Sequence, residues 1–140
     1  MRLLCTAVSV LLLSGCSSYR TDHPDPVPKE RLLGYQTPGP NNSIVVVRRD
    51  IGMLGGGCYV AVLIDRTVAA RIGIGEVATF QVPAGDRIVG IATDTADDTL
   101  CGKGSLRREI LIQASEGQQE QVHIVSENKQ GFAIVQDKTP

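Results

Sequence analysis

The sequence predicts an all-β protein: a small antiparallel β-sandwich of about seven to eight strands, preceded by an export signal and a proline-rich tether. Three observations carry that expectation. Beyond position 42 the chain breaks into short runs rich in β-branched residues, closely spaced and separated by turn sequences. No segment holds a 3.6-residue apolar period long enough for a useful amphipathic helix. Fifteen glycines and no tryptophan, with aromatics at only 4%, suit tight turns between strands better than a helical bundle.

A chain of 140 residues holds one domain. With 42% hydrophobic and 21% charged residues, its composition is that of a globular protein. The 14 basic and 15 acidic residues nearly cancel, and one of the basic ones, Arg2, lies in the export signal. Such a balance lacks the concentrated cationic face that nucleic acid requires. It equally lacks a polybasic patch for anionic lipid.

The N-terminal segment begins with Met1-Arg2 and continues as the apolar run 3–13. That run is too short to cross a hydrocarbon core, which needs about 20 residues, and has the length of a signal-peptide core. It ends in Leu13-Ser14-Gly15-Cys16. Ser14 and Gly15 are small enough for a peptidase to approach the backbone, and Cys16 supplies a nucleophilic sulfur. This tetrad resembles the lipobox of bacterial lipoprotein precursors. The resemblance implies removal of 1–15, a diacylglycerol thioether on Cys16, and a further acyl chain such as palmitate on the new amino terminus. Two or more chains anchor a protein stably. Ser17, rather than Asp, after the cysteine implies an outer-membrane destination facing the periplasm. The competing reading is an ordinary secretory signal cut at a small-residue site, with Cys16 entering a disulfide.

From 16 to 42 the composition shifts. Pro24, Pro26, Pro28, Pro38 and Pro40 are five of the seven prolines in the chain. Alternate prolines in His23-Pro24-Asp25-Pro26-Val27-Pro28 bias the backbone to extended geometry and remove ladder donors. The segment is expected to be a tether with a reach of roughly 80 Å at full extension. Residues 29–35 are expected to add a helical turn or to pack on the domain. His23 between Asp22 and Asp25 is read as a surface residue of the linker, not a metal ligand.

The domain itself is expected over 43–137. Its strands are expected at 43–49, 58–64, 68–72, 76–82, 87–93, 107–113, 121–126 and 131–136. Asp65-Arg66-Thr67 should turn a hairpin between the second and third. Pro83-Ala84-Gly85-Asp86 should turn another between the fourth and fifth. Alternation assigns faces: Ala78, Phe80 and Val82 share one side, with Thr79 and Gln81 opposite. Ile110 and Ile112 oppose Glu109 and Gln113, Val122 and Ile124 flank His123, and Phe132 pairs with Ile134. The unbroken runs 44–47 and 60–64 read as central strands buried on both faces. A domain this small buries only about 60–65% of its unfolded surface and benefits from a staple.

Cys5 leaves with the signal and Cys16 is spent on lipid, which leaves Cys58 and Cys101. An even pair in an exported chain is most simply a disulfide. No Cys-x-x-Cys and no further thiol supports a redox, zinc or iron–sulfur role.

Other motifs point to turns. Gly52-Met53-Leu54-Gly55-Gly56-Gly57 precedes a strand, where a dinucleotide loop opens a helix. Gly102-Lys103-Gly104-Ser105 separates Lys from Ser and is no Walker loop. Gly73-Ile74-Gly75 fits a hairpin. Asp94, Asp97 and Asp98 lack the spacing of a calcium loop. His123 is expected to face solvent or a neighbouring strand, and no serine is placed beside it to suggest nucleophilic catalysis. No catalytic residue, cofactor or metal is expected.

The middle of the chain resembles bacterial lipoprotein domains of PEGA-like type, related in shape to transthyretin-like and immunoglobulin-like sandwiches. The residues that carry this are Tyr59-Val60-Ala61-Val62-Leu63-Ile64-Asp65, Val68-Ala69-Ala70-Arg71-Ile72-Gly73 and Ala78-Thr79-Phe80-Gln81-Val82-Pro83-Ala84-Gly85. The stretch Glu116-Gly117-Gln118-Gln119-Glu120-Gln121-Val122 resembles a later turn of the pattern. Arg66 replaces the glycine usual after the strand-ending Asp, and Asp86-Arg87 stands where a His is common. The resemblance transfers no catalytic residue.

The resulting expectation is a membrane-tethered, non-catalytic binding or structural module of the cell envelope. It would hold the membrane through its lipid and an envelope protein through sheet edges and loops, with 52–57 and 94–104 as the contact surface. A variant, by fold analogy alone, is an accessory or immunity lipoprotein of a secretion system. The competing class is an envelope enzyme that joins His123 to the carboxylates of Asp94, Asp97 and Asp98 in one cleft.

Overall fold

In the computed structural model, which describes residues 18–52, 54, 56–127 and 131–138, nine strands form. They are β1 (Asp25–Pro26), β2 (Asn42–Arg49), β3 (Val60–Ile64), β4 (Thr67–Ile72), β5 (Glu76–Pro83), β6 (Gly85–Thr93), β7 (Arg107–Ala114), β8 (Gln119–Glu127) and β9 (Gly131–Gln136). The last eight are those the apolar runs anticipate, each within two residues at either end.

One sheet has the order β1-β5-β2-β8-β9 and the other β4-β3-β6-β7. Their inner faces meet in a core that includes Val45, Val47, Val62, Ile64, Ile72, Phe80, Val89, Ile91, Ile112, Val122 and Ile124. The alternation read from the sequence sets this: Ala78, Phe80 and Val82 are buried, and Ile112 is buried while Gln113 is exposed. Both unbroken runs occupy central positions, β2 between β5 and β8, β3 between β4 and β6. All five residues of β3 are buried. The protein is thus a small all-β sandwich.

Four expectations are corrected. Pro83-Ala84-Gly85-Asp86 does not close a hairpin: β5 pairs with β2, whereas β6 pairs with β3 and β7. The chain crosses between sheets at Ala84, with Gly85 at φ +122. Gly73-Ile74-Gly75 makes the reverse crossing, from β4 to β5, and is likewise no hairpin. The sheets are not wholly antiparallel, since β2 and β8 run parallel with Val47 opposite Val122. A parallel neighbour needs a long connection, and everything from β3 to β7 supplies it.

The fourth correction concerns the tether. Residues 25–36 lie against the sandwich. Asp25 N–H donates to Gly75 O (3.0 Å) and Val27 N–H to Val77 O (2.9 Å), which adds β1 parallel to β5. These donors alternate with Pro24, Pro26 and Pro28, so the missing N–H groups fall on the side that needs none. After a 3-10 turn over Lys29–Arg31, Leu32 bridges Ala70 and Leu33 N–H donates to Ala69 O (2.8 Å) on β4. Val27 is buried, and Leu32 and Tyr35 pack on the core. One segment therefore covers the β5 edge of one sheet and the β4 edge of the other.

The β3–β4 hairpin turns at Asp65 (φ 47) and Arg66 (φ 66). Two central residues of positive φ make the tight turn matched to strand twist, here without its customary glycine.

Candidate functional site

Two clusters of polar side chains stand out, one at an end of the sandwich and one on an outer face. The first begins with the disulfide. Cys58 and Cys101 are bonded, with Cα atoms 5.4 Å apart, and join the loop before β3 to the loop after β6. The two loops singled out from sequence, 52–57 and 94–104, therefore meet at one end. Gly102 is required there, because a Cβ would stand 1.8 Å from the Asp97 carbonyl oxygen. Thr99 N–H and its hydroxyl both bond the Asp97 carboxylate, which holds that carboxyl below its ordinary value.

Beside the disulfide, two guanidinium groups stand over the Tyr59 ring, Arg31 at 4.2 Å and Arg71 at 5.3 Å from its centroid. Each arginine is held by a carboxylate. Arg31 donates to both oxygens of Glu76 at 2.7 Å, and Arg71 donates twice to Asp94 Oδ2 at 2.9 and 2.6 Å. Burial pushes the Glu76 carboxyl up, but the bonds from Arg31 and from Gly73 N–H outweigh it and leave it below its ordinary value. Arg31 belongs to the docked N-terminal segment, so this row of charges and one ring also clamps that segment to the body.

Beneath it lies Arg49, only 1% exposed. It donates to Cys58 O (2.7 Å) and Ile72 O (3.0 Å), and its guanidinium stands 5.2 Å from the Phe132 ring centroid. Burial lowers its pKa to about 10, with Glu76 acting in the opposite sense. Sequence reading passed over Arg49, although Val45, Val47 and Arg49 share the inward face of β2 and the parity was there to be read.

The second cluster surrounds His123. Val122 and Ile124 face the core, so His123 takes the outer face of β8, where of the two expected settings it meets residues beside the neighbouring strands rather than solvent. Its side chain is 6% exposed, with Nδ1 2.8 Å from Asp50 Oδ1 and Nε2 3.2 Å from Asp137 Oδ2. Arg20 donates to both oxygens of Asp137, at 3.1 and 2.6 Å. That pairing, with the nearby His123, keeps the Asp137 carboxyl below its ordinary value. A polar cleft of about 370 Å³ opens here between Arg20, Asp22, Arg48, Gln121 and His123.

The carboxylates at His123 are thus Asp50 and Asp137, whereas Asp94 engages Arg71 on the other sheet. The grouping of His123 with Asp94, Asp97 and Asp98 is not formed. Among the described residues no set of three or more His, Cys, Asp or Glu side chains could hold a metal ion. No described helix is long and apolar enough to cross a membrane. Leu13, Ser14, Gly15 and Cys16 lie outside the described residues.

Covering of β4 and β5 by the N-terminal segment leaves β7 and β9 as the outer strands. β7 pairs only with β6 among the described residues and displays Leu111 at 67% exposure. Comparison with protein-family models, with curated proteins and with solved structures found no match.

Proposed function

We propose that this protein is a lipid-anchored module of the bacterial cell envelope. Cleavage before Cys16 exposes it as the N-terminus, its sulfur takes diacylglycerol and its amine a palmitate-like chain, and the sandwich stands in the periplasm on the outer membrane. Its work is non-catalytic binding or structural support. The observation that carries this reading is Leu13-Ser14-Gly15-Cys16 at the end of an apolar run too short to span a bilayer. The resemblance of 59–65, 68–73, 78–85 and 116–122 to PEGA-like, transthyretin-like lipoprotein domains agrees with it.

Two structural features support a binding role over a catalytic one. Both ring nitrogens of His123 face carboxylates within the fold, so the only histidine of the sandwich serves to pin 18–22 and 137 to the sheet. The outer strand β7, by contrast, has β6 as its one neighbour in the sheet among the described strands and displays Leu111, as a strand-recruiting edge does. Intact mass measurement on protein from the membrane fraction tests the anchor. The expected species begins at Cys16 and carries diacylglycerol plus one further acyl chain; soluble protein with a bare thiol at Cys16 would overturn the proposal. For the partner, Leu111→Lys should abolish a discrete crosslinked species formed in intact envelopes through a photoreactive side chain at position 109.

A further inference from the structure

We infer that the end of the sandwich bearing the disulfide-tied loops is its membrane-facing end, with Tyr19, Leu54 and Leu100 resting in the headgroup layer of a phospholipid bilayer. This rests on the lipid anchor at Cys16.

The argument starts where the body begins to hold the chain. Ser18 N–H bonds Ser126 O (3.4 Å), and Ser126 N–H donates to the Ser18 hydroxyl (3.0 Å). Tyr19 and Ile51 exchange two backbone bonds of 2.9 Å. Close packing reinforces this: a Cβ on Gly52 would lie 2.8 Å from Ser126 Oγ and 3.1 Å from Ser18 Cβ. The path is therefore set from residue 18, and only two residue steps separate Cys16 from it. Two steps span at most about 7 Å. The polar layer of a bilayer is itself roughly 5–8 Å thick on each side. An acylated Cys16 consequently draws Ser18 into or against the headgroups. The expected 80 Å tether would have left orientation free; the docked one does not.

Which surface meets the lipid follows from topology. β2 ends at Arg49 beside Ile124 of β8, and Arg49 reaches Cys58 O and Ile72 O across the sandwich. Ser18, the described residues of 50–59, the loop 73–75 and the loop 94–106 are thus all at one end. The turn 115–118 is at the other, roughly 26 Å away along β8. The large apolar side chains exposed at the anchored end include Leu100 at 84%, Tyr19 at 62% and Leu54 at 41%, whereas Leu33, Val68, Leu111 and Val135 are exposed on other faces. Tyrosine and leucine suit the boundary between headgroups and acyl chains. Asp97 and Asp98 beside Lys103 give this end no excess positive charge, so attachment comes from acyl chains and apolar tips and not from attraction to anionic lipid.

The chain has no tryptophan, so each single substitution makes its own reporter. Leu54→Trp, Leu100→Trp and Gln118→Trp would be placed in the acylated mature protein that begins at Cys16. Each would be reconstituted in phosphatidylcholine–phosphatidylglycerol vesicles with and without brominated acyl chains. Side chains at the interface reach about 5–10 Å into the lipid, so emission at positions 54 and 100 should fall about twofold or more with brominated lipid, and emission at 118 should not change. Unquenched reporters at 54 and 100 in protein whose mass shows the acyl chains would overturn the orientation alone, and would leave those loops to a protein partner. Equal quenching at 118 would overturn it too. Protein with no acyl chains that fails to float with the vesicles would bring down the anchor and the orientation together.

Discussion

Replacing both Cys58 and Cys101 with alanine removes the covalent link between the loop before β3 and the loop after β6. The bond joins residues 43 apart in sequence. In the chain-entropy account, a loop of that length in the unfolded chain corresponds to about 4 kcal/mol at 25 °C. Domains of this size are stable by about 5–15 kcal/mol in total, so the loss is a large share of what holds the fold. The loop contains β3, β4, β5 and β6 entire, so closing it restrains much of the unfolded chain. In urea the midpoint should fall by about 2 M for a slope near 2 kcal/mol/M. On heating, the transition should drop by about 15 °C. The slope itself should rise, because the uncrosslinked unfolded chain exposes more surface. A loss below about 1 kcal/mol with an unchanged slope would refute the reasoning. It would mean that the two loop ends are already held together in the unfolded ensemble.

Further outcomes follow from the polar clusters. Glu76 has a folded pKa below its ordinary value of 4.5, so its stabilisation is complete above that value and lost as pH falls through the lower folded one. Urea midpoints should therefore decline on acidification below pH 4.5, and Glu76→Gln should flatten the decline while loosening residues 25–36 to protease. Arg49→Ala should cost about 3 kcal/mol, because the carbonyls of Cys58 and Ile72 lose their donor in a dry interior. Arg49→Met keeps the apolar stem and should cost about half as much, measured by the same unfolding curves. Arg66→Gly relieves the positive φ at that position and should raise the thermal midpoint by about 3 °C despite loss of the exposed pair with Glu109. A fall instead would show that the ion pair outweighs the turn.

Much of the sandwich was legible because its determinants are local. A run such as Ser43-Ile44-Val45-Val46-Val47 is stiff at χ1 and extended wherever it lies, and the period of two tells which side is apolar. Counting thiols sufficed to pair Cys58 with Cys101. The site residues divide differently. Arg49 obeys the same alternation as Val45 and Val47 but was hidden by the habit of placing cations outside. For His123 the sequence left solvent and a neighbouring strand both open, since nothing near it in sequence announces that Arg20, Asp50 and Asp137 will gather around it.

Strand positions, inward faces and the cystine between Cys58 and Cys101 are properties of residues and their immediate neighbours, so the amino-acid order alone determined them. Sheet membership is not of that kind. The residues of β5 and β6 satisfy a hairpin as readily as a crossing, and long-range hydrogen bonds to β2 and β3 decide between the two. The same holds for Pro24-Asp25-Pro26-Val27, whose extended backbone suits a free linker and an edge strand equally. Only the bare carbonyls of Gly75 and Val77, distant in sequence and adjacent in space, give the alternate N–H groups somewhere to go.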